Sequence, residues 1–260
     1  MLTSPLPIPG VTTDPSTPNS VTCVSWNIHR GRGGDGRVDA ARVLDVLKSE
    51  VWQSGADALF LQEADDEAPP HRGVLDIDRI EADTGLRYTQ LGVDHRSTLE
   101  SHGFLGVVAF LHPRWHVQSV RLVDLPGHCP RGAVIIDAAQ GDRALRFCAT
   151  HLSLSQGLRI AQMRTLGQHF RRHDPRQTII CGDLNEWRPW GGAALSRKVL
   201  MDRFTGPTAP TFPVRQPVLP LDRVLTNAPG RVTDLRVLDG PGIRAASDHR
   251  PIYGRISLGA

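Results

Sequence analysis

The residues best suited to chemistry stand at the ends of apolar, strand-like runs. The set comprises Asn27, His29, Glu63, His151, Asp183, Asn185, Asp248 and His249. Most of them directly follow such a run, whereas Asp248 and His249 precede the last one. In open α/β sheets, ligands bind outside the carboxyl ends of the strands. We therefore expect these side chains to gather at one rim of a sheet.

The residue types in this set indicate metal-assisted chemistry. Three carboxylates and two carboxamides supply the hard oxygen atoms that suit Mg²⁺, with Mn²⁺ as a substitute. Zinc fits less well, because the cysteines show no metal-ligand spacing and no two of these histidines lie at short helical spacing. Carboxylates alone would equally serve a structural or storage metal. The added histidines, which can bind an anion or transfer a proton, indicate hydrolysis of a phosphate ester.

The pair Asp183 and Asn185 is the most specific local signal. It follows the apolar run "TIIC" (178–181) and Gly182, which permits a close turn. Alternate residues of a strand share a face, so both side chains are expected to point the same way. Taken singly, the other candidates have ordinary explanations as solvated carboxylates, turn formers or half-buried histidines. Their occurrence together, in this order, favours the functional explanation.

Six short motifs resemble, in order, those of the endonuclease/exonuclease/phosphatase superfamily. They read "WNIHRGRG", "LQEAD", "ATHLSLS", "CGDLNEW", "LDRVL" and "SDHRPI", and the resemblance extends from about Val21 to Leu258. This superfamily includes deoxyribonuclease I, the abasic-site endonucleases, neutral sphingomyelinases and inositol polyphosphate 5-phosphatases. The resemblance implies an α/β fold, a four-layered sandwich in which two mixed β-sheets pack face to face with helices outside.

The resemblance also implies a role for each matching residue. Glu63 matches the main metal carboxylate, and Asn27 and Asp248 match residues near the same ion. Asp183 matches the residue that orients or deprotonates the attacking water. Asn185 matches the residue that binds the scissile phosphate or the metal.

Four further residues match positions that act on the phosphate. His249 matches the histidine that contacts it, and Asp222 matches the aspartate that orients this histidine and fixes its tautomer. His151 matches a second histidine of the deoxyribonuclease-like branch. Arg131 resembles an arginine that grips a phosphate oxygen there, a task that suits the fork of a guanidinium. The predicted catalytic set is therefore Asp183, His249, His151, Asn185 and Asp222.

Three stretches depart from the better-known branches. His29 stands where abasic-site endonucleases have an aspartate, and it opens a basic stretch (29–37) that we predict to hold a phosphate-rich substrate. The segment 101–113 lacks the tyrosine, glutamate or asparagine that relatives place near the phosphate, and His102 is a candidate substitute. Residues 211–213 resemble a group of small bacterial hydrolases with unassigned substrates.

Periodicity places these motifs on alternating strands and helices. Nine runs predict strands: 21–28, 58–63, 107–111, 116–122, 133–139, 143–152, 178–184, 221–227 and 251–258. Helical spacing predicts helices within 38–55 and 158–173, and proline content predicts a surface loop over 205–220. Residues 1–20, rich in proline, serine and threonine, predict a flexible leader before one domain over 21–260.

The composition is that of an ordinary soluble chain. A net charge of +3 over 260 residues gives only mild support to nucleic-acid binding. Only Lys48 and Lys198 among the 30 basic residues are lysines; arginine suits phosphate, although genome composition is the simpler explanation. Four cysteines without a disulfide pattern predict a reduced, cytoplasmic protein. No apolar run approaches membrane-spanning length.

Three functions remain open on the sequence. The preferred one is an Mg²⁺-dependent phosphodiesterase or phosphatase acting on a small molecule or a lipid headgroup. The alternative is a nuclease that cuts DNA at abasic sites or non-specifically, but the basic residues are scattered rather than clustered along a duplex-sized surface. A catalytically inactive binding module is disfavoured, because every matching position keeps a competent residue type. Oligomeric state and substrate identity stay undetermined.

Overall fold

A computed structural model describes residues 19–52 and 55–259 of the chain. Its strands are β1 (Ser20–Asn27), β2 (Ala58–Gln62), β3 (Arg87–Tyr88), β4 (Val108–Leu111), β5 (His116–Leu125), β6 (Arg131–Gln140), β7 (Arg143–His151), β8 (Gln177–Asp183), β9 (Phe204–Thr205), β10 (Asp222–Asn227), β11 (Arg231–Val237) and β12 (Ile252–Ser257). Its α-helices are α1 (Ala40–Val46), α2 (Ile77–Thr84), α3 (Gln156–Arg171), α4 (Arg197–Leu200) and α5 (Pro241–Ala246). Residues 1–18 of the predicted leader lie outside the described part, and Ser20 already belongs to β1.

Two mixed sheets of six strands each carry the fold. Their orders are β11-β12-β1-β2-β4-β3 and β5-β6-β7-β8-β10-β9. Each sheet has one parallel pair at its centre, β1 with β2 in the first and β7 with β8 in the second, and its other neighbours are antiparallel. The carboxyl ends of two central parallel pairs therefore define where a shared site can form.

Apolar side chains on both faces of the central strands create the four layers. Along β2, Leu59 and Leu61 pack towards the helices, whereas Phe60 points to the other sheet and lies 6.1 Å from the ring of Phe147. The second sheet buries Ile180 against Met163 of α3. Because both faces are covered, these strands are continuously apolar in sequence. The predicted four-layered α/β sandwich is confirmed.

The predicted helices form with shifted boundaries. The side chain of Asp39 accepts a hydrogen bond from the backbone N–H of Arg42 and so caps the start of α1. The helix continues as a π-helical turn over Leu47–Val51. The second predicted helix is α3, which begins at Gln156 rather than near residue 158.

Several short elements of the structure were not predicted from the sequence. Strand β11 reads "RVTDLRV" and lies at the edge of its sheet, and an irregularity between Val232 and Asp234 interrupts its alternation of apolar and polar residues. Helix α2 has eight residues, yet it has both a capping Asp76 and a left-handed Gly85 after its end, which were available signals. Strands β3 and β9 have two residues each, too few for a periodic pattern.

The proline-rich segment 205–220 is irregular and mostly exposed or half-buried, as predicted for a surface loop, but side chains in its middle are buried. Thr211 is fully buried, and Val214 joins the core that lies under the helices of the first sheet. An isolated bridge pairs Phe212 with Leu219 and folds the segment back on itself. Burial is possible because backbone groups here find partners, as in the bond from the N–H of Thr211 to the carbonyl of Leu219.

Helices and cysteines give two further facts about the described residues. None of their helices is long and apolar enough to cross a membrane. Cys23, Cys148 and Cys181 are buried in the core as free thiols, and Cys129 is exposed.

Gly182 meets a requirement that no other residue type satisfies. Its φ of 145° lies in the region that favours glycine, and a Cβ there would stand 1.9 Å from the carbonyl oxygen of Thr150 on the neighbouring strand β7. The close approach of these two strands, one residue before Asp183, therefore depends on the missing side chain.

We expect Gly182→Ala to lower the free energy of unfolding by about 3 kcal/mol or more, because it combines a backbone clash with a disfavoured φ. Gly157→Ala is the control: no atom lies within 4 Å of its Cβ, and alanine in a helix adds about 0.5–1 kcal/mol of stability. Urea unfolding measures both. Equal midpoints for wild type and Gly182→Ala would contradict this account.

Candidate active site

The register of the second sheet places three of the predicted site residues side by side. Asp183, the last residue of β8, lies opposite His151 in the parallel pair with β7 and opposite Asp222 in the antiparallel pair with β10. In the first sheet, Asn27 ends β1 and Glu63 directly follows β2. The two groups face one cleft.

A hydrogen bond joins the two sheets at this point. The Nδ2 of Asn27 donates to Asp183 Oδ2 at 3.1 Å and lies 3.3 Å from Glu63 Oε1, which also accepts from it. Asn27 Oδ1 in turn accepts from the backbone N–H of His29 at 3.0 Å. Asn27 is thus fixed by contacts on both sides, and it sets the distance between the two carboxylates.

Asp183 and Asn185 are held by a turn and not by strand alternation. Strand β8 ends at Asp183, and Asn185 has a φ of 50°. The backbone N–H of Asn185 donates to Asp183 Oδ1 at 2.9 Å, and its Nδ2 donates to the carbonyl of Leu152 at 2.8 Å. Both side chains line the cleft as expected, but the geometric reason given for it from the sequence was wrong.

His249 is the centre of a buried hydrogen-bonded chain. Its Nδ1 donates to Asp222 Oδ2 at 2.9 Å, and the same oxygen accepts from the hydroxyl of Thr211 at 2.5 Å. The other ring nitrogen, Nε2, lies 3.7 Å from Asp183 Oδ2. Burial alone lowers the pKa of His249, but the carboxylates of Asp222 and Asp183 outweigh it and raise that pKa to about 10. His249 is therefore a cation at neutral pH.

His151 differs from His249, because its surroundings favour the neutral imidazole. Its Nε2 lies 3.4 Å from the same Asp183 oxygen, but burial is the dominant influence and lowers the pKa of His151 to about 3 against the opposing attraction of Asp183. One carboxylate thus faces a cationic and a neutral imidazole. The difference arises because His249 has a second carboxylate, Asp222, behind it.

The residues predicted to hold a divalent metal have suitable donor atoms. Glu63 and Asp248 offer carboxylate oxygens, and Asp248 Oδ1 is buried without a hydrogen-bond partner, 3.6 Å from His29 Nδ1. A buried carboxylate oxygen without a donor is costly unless a cation is near. This observation and the hard oxygen donors fit the predicted Mg²⁺ or Mn²⁺.

A second set of possible ligand atoms lies within 4.8 Å of one another, on Asp183, Asp222 and His249. Asp222 and His249 are already hydrogen-bonded to each other through Oδ2 and Nδ1. An ion at this set would have to lie against an imidazole that the two carboxylates stabilise in its protonated form. The side of the cleft with Glu63 is therefore the better metal candidate.

Arg30 is the main site residue that the sequence reading missed. Its Nη1 lies 2.5 Å from Glu63 Oε2, the carboxylate predicted to bind the metal. The signal was present, since Arg30 directly follows His29 in the basic stretch. What the sequence could not show is the left-handed backbone, with φ of 51° at Arg30 and 55° at Glu63, that turns the two side chains together.

Left-handed backbone is concentrated around the cleft. Seven described non-glycine residues have positive φ, and six of them line it, namely His29, Arg30, Glu63, His71, Leu105 and Asn185. Such conformations cost about 1–3 kcal/mol each and cluster at functional sites. The backbone here is therefore shaped by the site rather than by regular structure.

The remaining predicted residues divide into two groups. Arg131 lines the cleft, and its Nε is buried without a partner, so the guanidinium is not committed to a protein carboxylate. His29 lies beside Asp248. His102, the candidate substitute, is not among the residues that line the two lobes. Its ring packs on Gly73, and its backbone N–H donates to Asp65 Oδ1.

The cleft has two connected lobes. The larger, about 350 Å³, contains Asp183, Asn185 and His249 and extends to apolar residues. The smaller, about 70 Å³, lies between Arg131 and the acidic loop 65–67. Both lobes share Arg30, Glu63, Arg131 and His151.

Comparison with known proteins finds relatives that match nearly the whole chain. Protein YbhP of Escherichia coli K12, itself uncharacterized, is 27% identical over 252 residues that cover 92% of this chain and 97% of YbhP. An endonuclease/exonuclease/phosphatase structure from Bacteroides vulgatus superposes with a TM-score of 0.71 at 12% identity and covers 92% of this chain and 99% of its own.

A structure of D. rerio TDP2 complexed with single-strand DNA product has a TM-score of 0.62 at 16% identity, covering 92% of this chain and 99% of its own. At identities this low, the superpositions show that these structures and this chain share the fold. The sequence model of the Endonuclease/Exonuclease/phosphatase family matches residues 24–249, a range that contains every predicted site residue. The chain belongs to this family.

Proposed function

We propose that this protein is a divalent-metal-dependent hydrolase of phosphate esters. The observation that carries the proposal is the position of Asp183 Oδ2, which lies 3.7 Å from Nε2 of His249, itself backed by Asp222 at 2.9 Å, and 3.4 Å from Nε2 of His151. A carboxylate that can take a proton from water thus adjoins a cation that can receive phosphate charge. Glu63 and its neighbours supply the metal ligands on the opposite side of the same cleft.

Each residue has a distinct part in the proposed reaction. Asp183 Oδ2 orients the attacking water and accepts its proton. The water oxygen bonds to phosphorus as the ester P–O bond breaks, and the leaving oxygen takes a proton from solvent. His249 directs Nε2–H at a phosphate oxygen while Asp222 holds the Nδ1 proton and so fixes the ring. A bound Mg²⁺, held by Glu63, Asp248 and Asn27, would neutralise charge on the phosphate oxygens.

Three further residues bind or orient the phosphate. Asn185 faces the larger lobe beside Asp183, where its carboxamide can bind the scissile phosphate. Arg131 and His151 line both lobes, so they can contact phosphate oxygens where the lobes meet. His29, beside Asp248, is proposed to contact the substrate at the rim.

A small phosphodiester or a lipid headgroup is the proposed substrate class. A cleft of about 350 Å³ matches a small molecule better than a duplex-sized surface. A nuclease is the second candidate, supported by the similarity in fold to TDP2, which is seen with single-strand DNA product. A panel of abasic duplex, plain duplex, single-strand DNA, bis-p-nitrophenyl phosphate, inositol phosphates and phospholipids, each with Mg²⁺ and Mn²⁺, separates the two.

We expect Asp183→Asn and His249→Ala each to lower kcat on the best substrate by about 10²- to 10⁴-fold, because they remove the proton acceptor and the phosphate-facing cation. Excess EDTA should abolish activity. Asp142→Asn, in the exposed turn between β6 and β7, is the control and should match wild type. Near-normal turnover in either site variant, or full activity in EDTA, would refute the mechanism.

Asp222→Asn should be milder than His249→Ala, because the imidazole stays in place and loses only its orienting charge. Steady-state kcat for the two variants, measured at one pH, gives the order. Thr211→Val serves as a companion variant, since it removes the other hydrogen bond to Asp222 and keeps the carboxylate. A greater loss for Asp222→Asn than for His249→Ala would argue against an orienting role.

We expect Arg30→Met to bind Mn²⁺ about three- to tenfold more tightly than wild type, since the arginine competes with the metal for Glu63. Isothermal titration calorimetry measures this without any substrate. Arg72→Met, which breaks an exposed pair with Glu100, is the matched control. Unchanged affinity in Arg30→Met would disprove the competition, and unchanged affinity in Glu63→Gln would disprove the metal site itself.

A further inference from the structure

One side of the larger lobe is lined by apolar side chains. Leu154, Trp187, Phe212 and Leu219 face it, and we call this set the apolar wall. Leu154 is 78% and Trp187 47% exposed. A group of exposed large apolar residues that borders a cleft is typical of a ligand-binding groove.

A contact with the neighbouring arginine holds the ring of Trp187 in place. The guanidinium of Arg188 lies 4.5 Å from its ring centre. That guanidinium is itself held, because it donates to Glu186 Oε1 at 2.9 Å and to Gln156 Oε1 at 2.7 Å. Glu186 is fully buried, so this anchor belongs to the interior and not to a flexible surface.

The backbone on either side of Trp187 is held as well. Arg223, a buried residue, donates from Nη2 to the carbonyls of Glu186 at 2.9 Å and Arg188 at 2.8 Å. A side chain ordered before binding loses little conformational entropy when a ligand arrives. The structure therefore presents an exposed indole in a pre-organised position.

The apolar wall begins next to the proposed catalytic groups. The ring of Phe212 lies 4.9 Å from the ring of His249, and Leu154 is three residues after His151. A group bound against the wall would therefore lie within bonding reach of a phosphate that His249 contacts. The lobe holds about 350 Å³, which is enough for a phosphate with one ring.

We propose that the apolar wall is a subsite for an aromatic ring esterified to the scissile phosphate, with Trp187 as its stacking platform. This inference rests on the proposed function and deepens it, because it narrows the substrates to phosphodiesters with a planar aromatic group beside the bond that is cut. A flat ring matches the fixed indole, and such stacking is tolerant of the ring's identity.

Binding of two phosphonates tests the proposal without catalysis. Phenylphosphonate and methylphosphonate share the charged group and differ in the ring, and calorimetry with Mg²⁺ present measures both. Wild type should bind phenylphosphonate about tenfold more tightly, in line with stacking on one aromatic residue. Trp187→Ala should reduce this ratio towards one, and Trp187→Phe should keep most of it.

Trp190→Ala is the matched control. Trp190 is 77% exposed in the same loop and does not line the cleft, so its loss should leave the ratio at the wild-type value. A ratio near one in wild type, or an equal loss in Trp187→Ala and Trp190→Ala, overturns the subsite. If phenylphosphonate preference is present but no ester is hydrolysed, the proposed function fails and the aromatic binding site remains.

Two further measurements distinguish an aromatic subsite from a general apolar pocket and from a membrane-binding surface. Cyclohexylphosphonate has a ring of similar size without a π-face, and binding as tight as that of phenylphosphonate would show a general apolar pocket instead. Sedimentation with vesicles of phosphatidylcholine and phosphatidylglycerol tests a membrane surface as the occupant. Vesicle binding by wild type that both tryptophan variants abolish would overturn the proposal in favour of membrane docking.

Discussion

The carboxylate of Asp183 is 1% exposed, and a charge buried so deeply must be compensated by partners in every direction. Its partners come from both sheets: Asn27 from the first, and His151 with the backbone of Asn185 from the second. His249 reaches it from the loop before β12. The need to satisfy one buried anion therefore draws the ends of two separate sheets to one cleft.

The framework supports this convergence in two ways. The apolar layer between the two sheets holds them at a fixed separation, so Asn27 can span the gap between them with one hydrogen bond. Gly182 lets strands β7 and β8 approach closely at their ends. Left-handed residues such as Glu63 then turn their side chains into the cleft, at an energetic cost that the surrounding packing offsets.

The arginines show a use that composition did not reveal. Arg146, Arg159 and Arg223 are among the largest fully buried side chains, and each finds oxygen partners in the interior. Arg146 forms a two-pronged pair with Asp137, whereas Arg223 binds carbonyls behind the loop of Trp187. A planar guanidinium with five donors suits such buried oxygens better than lysine does. The arginine preference thus has a structural role alongside any origin in genome composition.

The sequence by itself determined the family, the layered fold and which residue types stand at the ends of the central strands. Apolar runs such as "TIIC" and the ordered motifs are local properties, and they are legible without contacts. Tertiary structure alone decided that Arg30 pairs with Glu63, that Thr211 is buried behind Asp222, and that Trp187 faces the cleft. These depend on left-handed turns and on contacts between residues far apart in the chain, which no local pattern encodes. His151 and His249 likewise look equivalent in sequence. Burial beside Asp183 alone favours the neutral form of His151, whereas Asp183 and Asp222 together favour the cationic form of His249.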